Sequence, residues 1–303
     1  MASLAEQRLG LAPGSFPFAS DVRAVGGARL HVVDEGQGPA LLMLHGNPTW
    51  SFLFRDLIAQ LRDRYRCLAV DLPGFGLSEP PPGFGWRPQE HADLVAALLE
   101  RLDLRDATLV AHDWGGPIGL AAAFAHPGRL TRFVLGNTWA WPLNGIGHFE
   151  WFARLAGGPL GRVGARRWNL FVNGLMPLAM RSRSLSPTQM AAYRAPFADP
   201  TRRIGTHVFP AELLRSRTFL SRIERGLPSI DASRLLLLWP GADFAFRPQE
   251  LARWRTLFPG VRVVDLPGCG HFVFEEAGPS CARHIVDWLG TQSSCRWTGC
   301  EGC

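Results

Sequence analysis

With 303 residues and 47% hydrophobic content, the chain can bury a full core and fits one large globular domain with room for an insertion. Its apolar stretches, such as Pro39 to Leu44 and Leu235 to Trp239, fall far short of the roughly 20 residues of a membrane span. The N-terminus also lacks the apolar core and cleavage site of a signal peptide, so a cytoplasmic protein with no membrane partner is expected. The net charge of +6 is carried by arginine alone, without lysine, and the arginines are dispersed with no nucleic-acid motif, which argues against a nucleic-acid partner.

Short apolar runs bounded by Gly, Pro or Asp predict strands over Leu30 to Asp34, Ala40 to Leu44, Arg66 to Val70, Thr108 to His112, Arg132 to Leu135, Arg234 to Trp239 and Val261 to Leu266. Helical patterns separate several of them, as with Leu94, Val95, Leu98, Leu99 and Leu102, so the expectation is a doubly wound α/β fold with a mostly parallel sheet. The rhythm breaks over 137–210, where Trp, Phe, Leu and Arg mix with Gly and Pro and no strand is evident. That stretch is too long for a loop, and it reads as a helical cap inserted after the sixth strand. The core is then expected over 1–136 and 211–290. The cap arginines Arg166, Arg167, Arg202 and Arg203 read as a solvated face.

The tail over 291–303 carries Cys295, Cys300 and Cys303. Three thiolates fall short of the four ligands of a structural zinc site, so a flexible tail and no metal are expected.

The segment LVAHDWGGPIGL, Leu109 to Leu120, is a buried strand running into a sharp turn and a small-residue helix start. This is the setting of a nucleophile elbow, and it leaves Asp113 at the reactive position. A carboxylate there is already ionised near neutral pH and can displace a leaving group from carbon. Read structurally instead, Asp113 would only cap the following helix. His271, in the Gly-rich loop LPGCGHFVFEE after the last strand, is the candidate base. His45 and His112 read as loop supports, and His284 belongs to a terminal helix pattern. Asp243, after the preceding strand, would orient His271 and stabilise its imidazolium, although it also fits an ordinary turn residue.

Together HGNPTWSFLFR, DLPGFGLSEP, AHDWGG, LSPTQMAAYRAPF and PGCGHFVFEE resemble the haloalkane dehalogenase family of the α/β-hydrolase superfamily, from about Gly26 to Leu289. The resemblance implies a catalytic triad of Asp113, His271 and Asp243. It also implies halide binding by the side-chain N–H groups of Asn47 and Trp114, and an oxyanion hole from their backbone N–H groups. Members of the family place the acid either after the sixth strand or after the seventh. Asn137 occupies the first location and cannot supply a charge, which favours Asp243 and a subgroup with the Asn/Trp halide pair.

The partners implied are a small hydrophobic haloalkane, water and halide, with no cofactor. Trp139, Trp141, Phe149, Phe152, Phe171 and Phe209 are candidates to line an apolar cavity under the cap.

An epoxide hydrolase would share the triad but needs cap tyrosines, and the chain has only Tyr65 and Tyr193. A luciferase or monooxygenase on the same scaffold is a further alternative. A ligand-binding receptor would be expected to have lost part of the triad.

Overall fold

Eight strands form one sheet: β1 (Ser20–Val25), β2 (Ala28–Glu35), β3 (Ala40–Leu44), β4 (Arg66–Val70), β5 (Ala107–His112), β6 (Leu130–Gly136), β7 (Leu235–Pro240) and β8 (Arg262–Leu266). The computed structural model describes residues 2–294, so Cys295, Cys300 and Cys303 lie outside the described residues. The strand order is β1-β2-β4-β3-β5-β6-β7-β8. Only the β1–β2 and β2–β4 pairs are antiparallel. Strands β5 and β7 are buried along their whole length, which is why they read as unbroken apolar runs.

Strand β1 was not expected. It lies at the sheet edge, where Asp21 and Arg23 break up the apolar pattern, and it turns into β2 through Gly26 and Gly27, both with positive φ as a two-residue hairpin requires.

The helix over Pro88–Arg101 buries the predicted Leu94, Val95, Leu98 and Leu99. Between Gly136 and Leu235 the described chain contains helices and no strand. The expected cap limit at 210 falls inside the helix Ile204–Arg215, because Pro210 is carried within that helix instead of ending it. The next helix, Arg217–Gly226, packs on Gly115–Ala125 of the core, where Gly226 admits the ring of Phe124. A small second core of Ala156, Ala165 and Phe171 joins the outer cap helices Gly147–Ala156 and Pro159–Trp168 to the segment that follows.

The cap arginines do not form one solvated face. Arg166 and Arg167 are exposed, but Arg203 is buried and donates to the carbonyls of Phe197, Arg166 and Ala198 at 2.7, 2.7 and 3.1 Å. Arg202 is half-buried and reaches the core carbonyl of Gly76 at 2.9 Å.

Two carboxylates fasten the inner cap to the core. Glu275 is buried and receives both Nη atoms of Arg55 at 2.5 and 2.6 Å, the hydroxyl of Tyr193 at 2.5 Å, and Arg183. Glu276 accepts from the backbone N–H groups of Gly270, Arg181 and Ser182 at 2.8, 2.9 and 2.6 Å. Among the described residues, no helix is long and apolar enough to cross a membrane.

Candidate active site

At the end of β5 the chain turns sharply into the helix Gly115–Ala125, and Asp113 sits at the turn with a φ of +49°, a conformation costly for a residue with a Cβ. Its surroundings hold it there. The N–H of Asp113 donates to the Asn137 carbonyl at 3.1 Å, and its own carbonyl accepts from the Thr138 hydroxyl at 2.6 Å. Close approach explains the small neighbours: a Cβ on Gly46 would lie 2.4 Å from Asp113, and one on Gly115 would lie 2.1 Å from the Leu44 carbonyl.

The Asp113 carboxylate is buried and accepts the backbone N–H of Asn47 at 2.9 Å. Burial pushes its pKa above the ordinary aspartate value. Nearby His271 and the backbone N–H groups of Asn47 and Trp114 oppose that shift, because each favours the charged form.

His271 follows β8, and its Nδ1 lies 3.0 Å from Asp243 Oδ2 in the loop after β7. Burial alone would lower the imidazole pKa, but the charge of Asp243, their hydrogen bond and Asp113 hold it above the usual histidine value. Burial likewise works against the charge of Asp243, yet His271 and Asn137 keep that carboxyl below its ordinary value. The backbone of His271 is fixed on two sides. Its N–H donates to the Ala179 carbonyl at 2.9 Å, and its carbonyl lies 2.8 Å from His112 Nε2. Because a carbonyl can only accept, His112 must carry the proton on Nε2, and burial pushes its pKa down to about 3, so it stays neutral.

Asn137 is fully buried and donates from Nδ2 to Asp243 Oδ2 at 2.6 Å. In the loop after β3, Asn47 donates from Nδ2 to the Thr206 carbonyl at 3.1 Å. That contact fixes the orientation of the amide, since two carbonyl oxygens would repel, and it leaves the second Nδ2 hydrogen uncommitted. The indole N–H groups of Trp50 and Trp254 donate to the carbonyls of Ala192 and Thr138. That of Trp114 makes no hydrogen bond among the described residues.

Asp113, His271, Asn47 and Trp114 meet in a cavity of about 550 Å³ whose remaining walls are largely apolar. Phe149, Phe152 and Phe171 line it. Trp139, Trp141 and Phe209 do not, and the expectation for them is corrected. Phe209 stacks on Trp114 with centroids 5.3 Å apart, Trp139 meets the same indole edge-on at 4.7 Å, and Trp141 packs on Trp254. Phe209 and Trp139 are supports behind the wall and Trp141 packs in the core, because a one-dimensional pattern does not tell which side of a ring faces a void.

Sequence reasoning missed Phe244, Phe246 and Phe272, which do line the cavity. Their signal was adjacency, since they lie next to or three residues beyond Asp243 and His271. Phe246 stacks on both Trp139 and His271, at 5.3 and 5.8 Å.

A family model described as alpha/beta hydrolase fold matches residues 39–278. The Haloalkane dehalogenase 2 of Mycobacterium tuberculosis is 40% identical over 280 residues, spanning 92% of this chain and 97% of its own length. A cis-3-alkyl-4-alkyloxetan-2-one decarboxylase of Shewanella oneidensis is 33% identical over 284 residues, spanning 90% and 89%. The crystal structure of haloalkane dehalogenase DbeA from Bradyrhizobium elkani superposes with a TM-score of 0.83 at 26% identity, covering 92% of this chain and 99% of that one.

Proposed function

Since this chain belongs to the haloalkane dehalogenases of the α/β-hydrolase fold, we propose that it hydrolyses haloalkanes to alcohol and halide, with Asp113 as the attacking group. The observation that carries the assignment of roles is a buried carboxylate at the elbow, open to a largely apolar cavity that also admits an imidazole paired with a second carboxylate at 3.0 Å.

In the first step an Asp113 oxygen forms a bond to the carbon that bears the halogen, and the bonding pair leaves with the halide. Negative charge grows on the halogen as the bond breaks. The free indole N–H of Trp114 and the second Nδ2 hydrogen of Asn47 are neutral donors that stabilise that charge without competing as nucleophiles.

In the second step His271 takes a proton from water, and the resulting hydroxide attacks the carbonyl carbon of the alkyl ester. The backbone N–H groups of Asn47 and Trp114 face the oxyanion that forms there, while Asp243 stabilises the imidazolium. Collapse of the tetrahedral species expels the alkoxide, which takes the proton from His271 and leaves Asp113 as its acid. Neutral His271 then accepts the acid proton and passes it to solvent, which restores the Asp113 carboxylate and accounts for the proton released with the halide.

The decarboxylase relatives motivate a second reading, in which the same carboxylate opens a four-membered lactone ring by displacing a carboxylate in place of halide. The epoxide hydrolase alternative would want a phenol in the cavity. Neither tyrosine lines it, and the Tyr193 hydroxyl is committed to Glu275.

The deciding experiment offers the purified protein 1-bromoalkanes, 1-chloroalkanes and a cis-dialkyloxetanone side by side. Bromide and alcohol in equal amounts are expected, with slower release of chloride. Alkene and carbon dioxide from the lactone, with no halide from any haloalkane, would replace the dehalogenase reading with the second one.

A further inference from the structure

The large apolar side chains that remain exposed are concentrated on the outer cap. Leu160 is 76% exposed, Trp151 71%, Leu178 68% and Trp168 63%, with Leu155 and Val163 close to half. They lie on Gly147–Ala156, Pro159–Trp168 and the segment after it, which the small second core holds together. Exposed leucine and tryptophan in such number are unusual for a face that meets only water.

Charge accompanies them. From Trp151 to Ala198 the chain carries arginines and no aspartate or glutamate. Arg162, Arg166 and Arg167 are exposed, make no ion pair among the described residues, and line a depression with Val163, Trp168 and Pro200.

We propose that this outer cap face docks on an anionic phospholipid surface, with Leu160, Trp168 and Leu178 entering the acyl boundary and Arg162, Arg166 and Arg167 meeting lipid phosphates. Tryptophan and leucine on one side of a short amphipathic helix, with arginine beside them, is the composition that lies in a membrane interface without spanning it. A second copy of the chain fits the face less well. A two-fold contact centred on this depression would bring like charges together, with Glu150, already paired to Arg154, and Asp199 only at its margins.

The cavity opens within this face. Trp151 and Leu155 line the cavity and are also exposed, so docking sets the mouth against lipid, from which an apolar substrate can pass without crossing water. Short apolar runs and an N-terminus unlike a signal peptide, on which the expectation of no membrane partner rests, do not bear on a surface of this kind.

The docking does not depend on the reaction, and its test needs no turnover. The full chain is floated with vesicles of phosphatidylcholine alone and of phosphatidylcholine with phosphatidylglycerol, at low and high salt. We expect binding to the anionic vesicles, weakened by salt. An Arg166→Gln/Arg167→Gln variant should bind about 30-fold less, in line with two basic residues at an anionic surface.

Leu160→Gln/Trp168→Ser should also lose binding, and the light emitted by Trp168 should account for part of the quenching by brominated lipid in the parent protein. These positions are exposed and outside the cavity, so circular dichroism and the hydrolysis of a short, water-soluble bromoalkane should be unchanged. Absence of the parent protein from the anionic vesicles would overturn the proposal, as would equal binding by both variants. A parent dimer in sedimentation, made monomeric by these substitutions with no vesicle binding, would assign the face to a second copy.

Discussion

The Asn47 amide is held by the Thr206 carbonyl, and that carbonyl is available because the residue four positions on is Pro210, which has no N–H to donate. A proline inside the helix Ile204–Arg215 thus frees one backbone acceptor, and a core side chain uses it. Pro210 also lines the cavity, so the same residue shapes the wall and indirectly orients a proposed halide donor.

Replacing Pro210 with Ala restores a helical N–H that competes for the Thr206 carbonyl. Folded stability should hold or rise. The alkylation rate in a single-turnover halide assay should drop about 3- to 10-fold, the worth of one neutral hydrogen bond. Asn47→Leu removes the donor itself and should cost about 10- to 1000-fold in the same assay. An Asn47→Leu protein that alkylates as fast as the parent would place the leaving group elsewhere.

The two steps should separate in a His271→Phe variant. A carboxylate attacks carbon without a base, while the ester requires activated water, so about one halide per active site should appear and then stop. Intact-mass measurement should find the added alkyl group, and peptide mapping should put it on Asp113. Asp243→Asn should slow ester hydrolysis less completely, because His271 stays but loses its orienting charge. Labelling at any other residue would defeat the mechanism, and so would loss of the first halide from a folded His271→Phe protein.

The steps should also part with pH. Asp113 must be ionised to attack, and its pKa is raised above the ordinary aspartate value, so alkylation declines as pH falls through that raised value. His271 must be neutral to accept a proton, so ester hydrolysis declines as pH falls through the His271 pKa, which Asp243 and the charge of Asp113 hold above the usual histidine value in the free enzyme. Esterification removes the charge of Asp113, one of the groups that raise His271. The acid limb of steady-state turnover should therefore lie below the His271 pKa measured in the free enzyme by NMR titration. A turnover limb at or above the His271 pKa of the free enzyme would contradict this account.

Glu275→Gln leaves the Arg55 guanidinium buried beside a neutral amide. Removing one partner of a buried pair costs about 3–5 kcal/mol, which urea denaturation would detect as a lowered midpoint. Arg55→Leu combined with Glu275→Leu should cost less than either single change. Additive losses in that double-mutant cycle would mean that the pair does not act as a unit.

Much of the fold was legible because the central strands are buried on both faces. Strands β3 and β4 begin and end where their apolar runs do, β5 starts one residue earlier than expected, and β7 is shifted by one residue at both ends. Strand β1 was not, since an edge strand needs no continuous apolar run and its clearest mark was the Gly26–Gly27 turn. At the site, short-range motifs carried Asp113 and Trp114, but the contact of Asn137 with Asp243 joins residues 106 apart in the chain and has no local signature. Pro210 shows the same limit, because its rank as helix breaker or helix member depends on what accepts the freed carbonyl.

Glu275 and Glu276 tie the inner cap to the loop that carries His271, and the His271 N–H is itself bonded to Ala179 of that cap. Roof and base are mechanically one piece, so swinging the cap aside like a door would pull the imidazole out of line with the ester. Traffic of substrate and product then falls to the helix Gly147–Ala156, whose Trp151 and Leu155 flank the opening and which makes none of these bonds. That helix touches the site's loops through the His148 ring and the Ala245 carbonyl at 3.0 Å, so changes at Trp151 and Leu155 that spare His148 should alter which molecules are admitted while the inner cap keeps His271 in place.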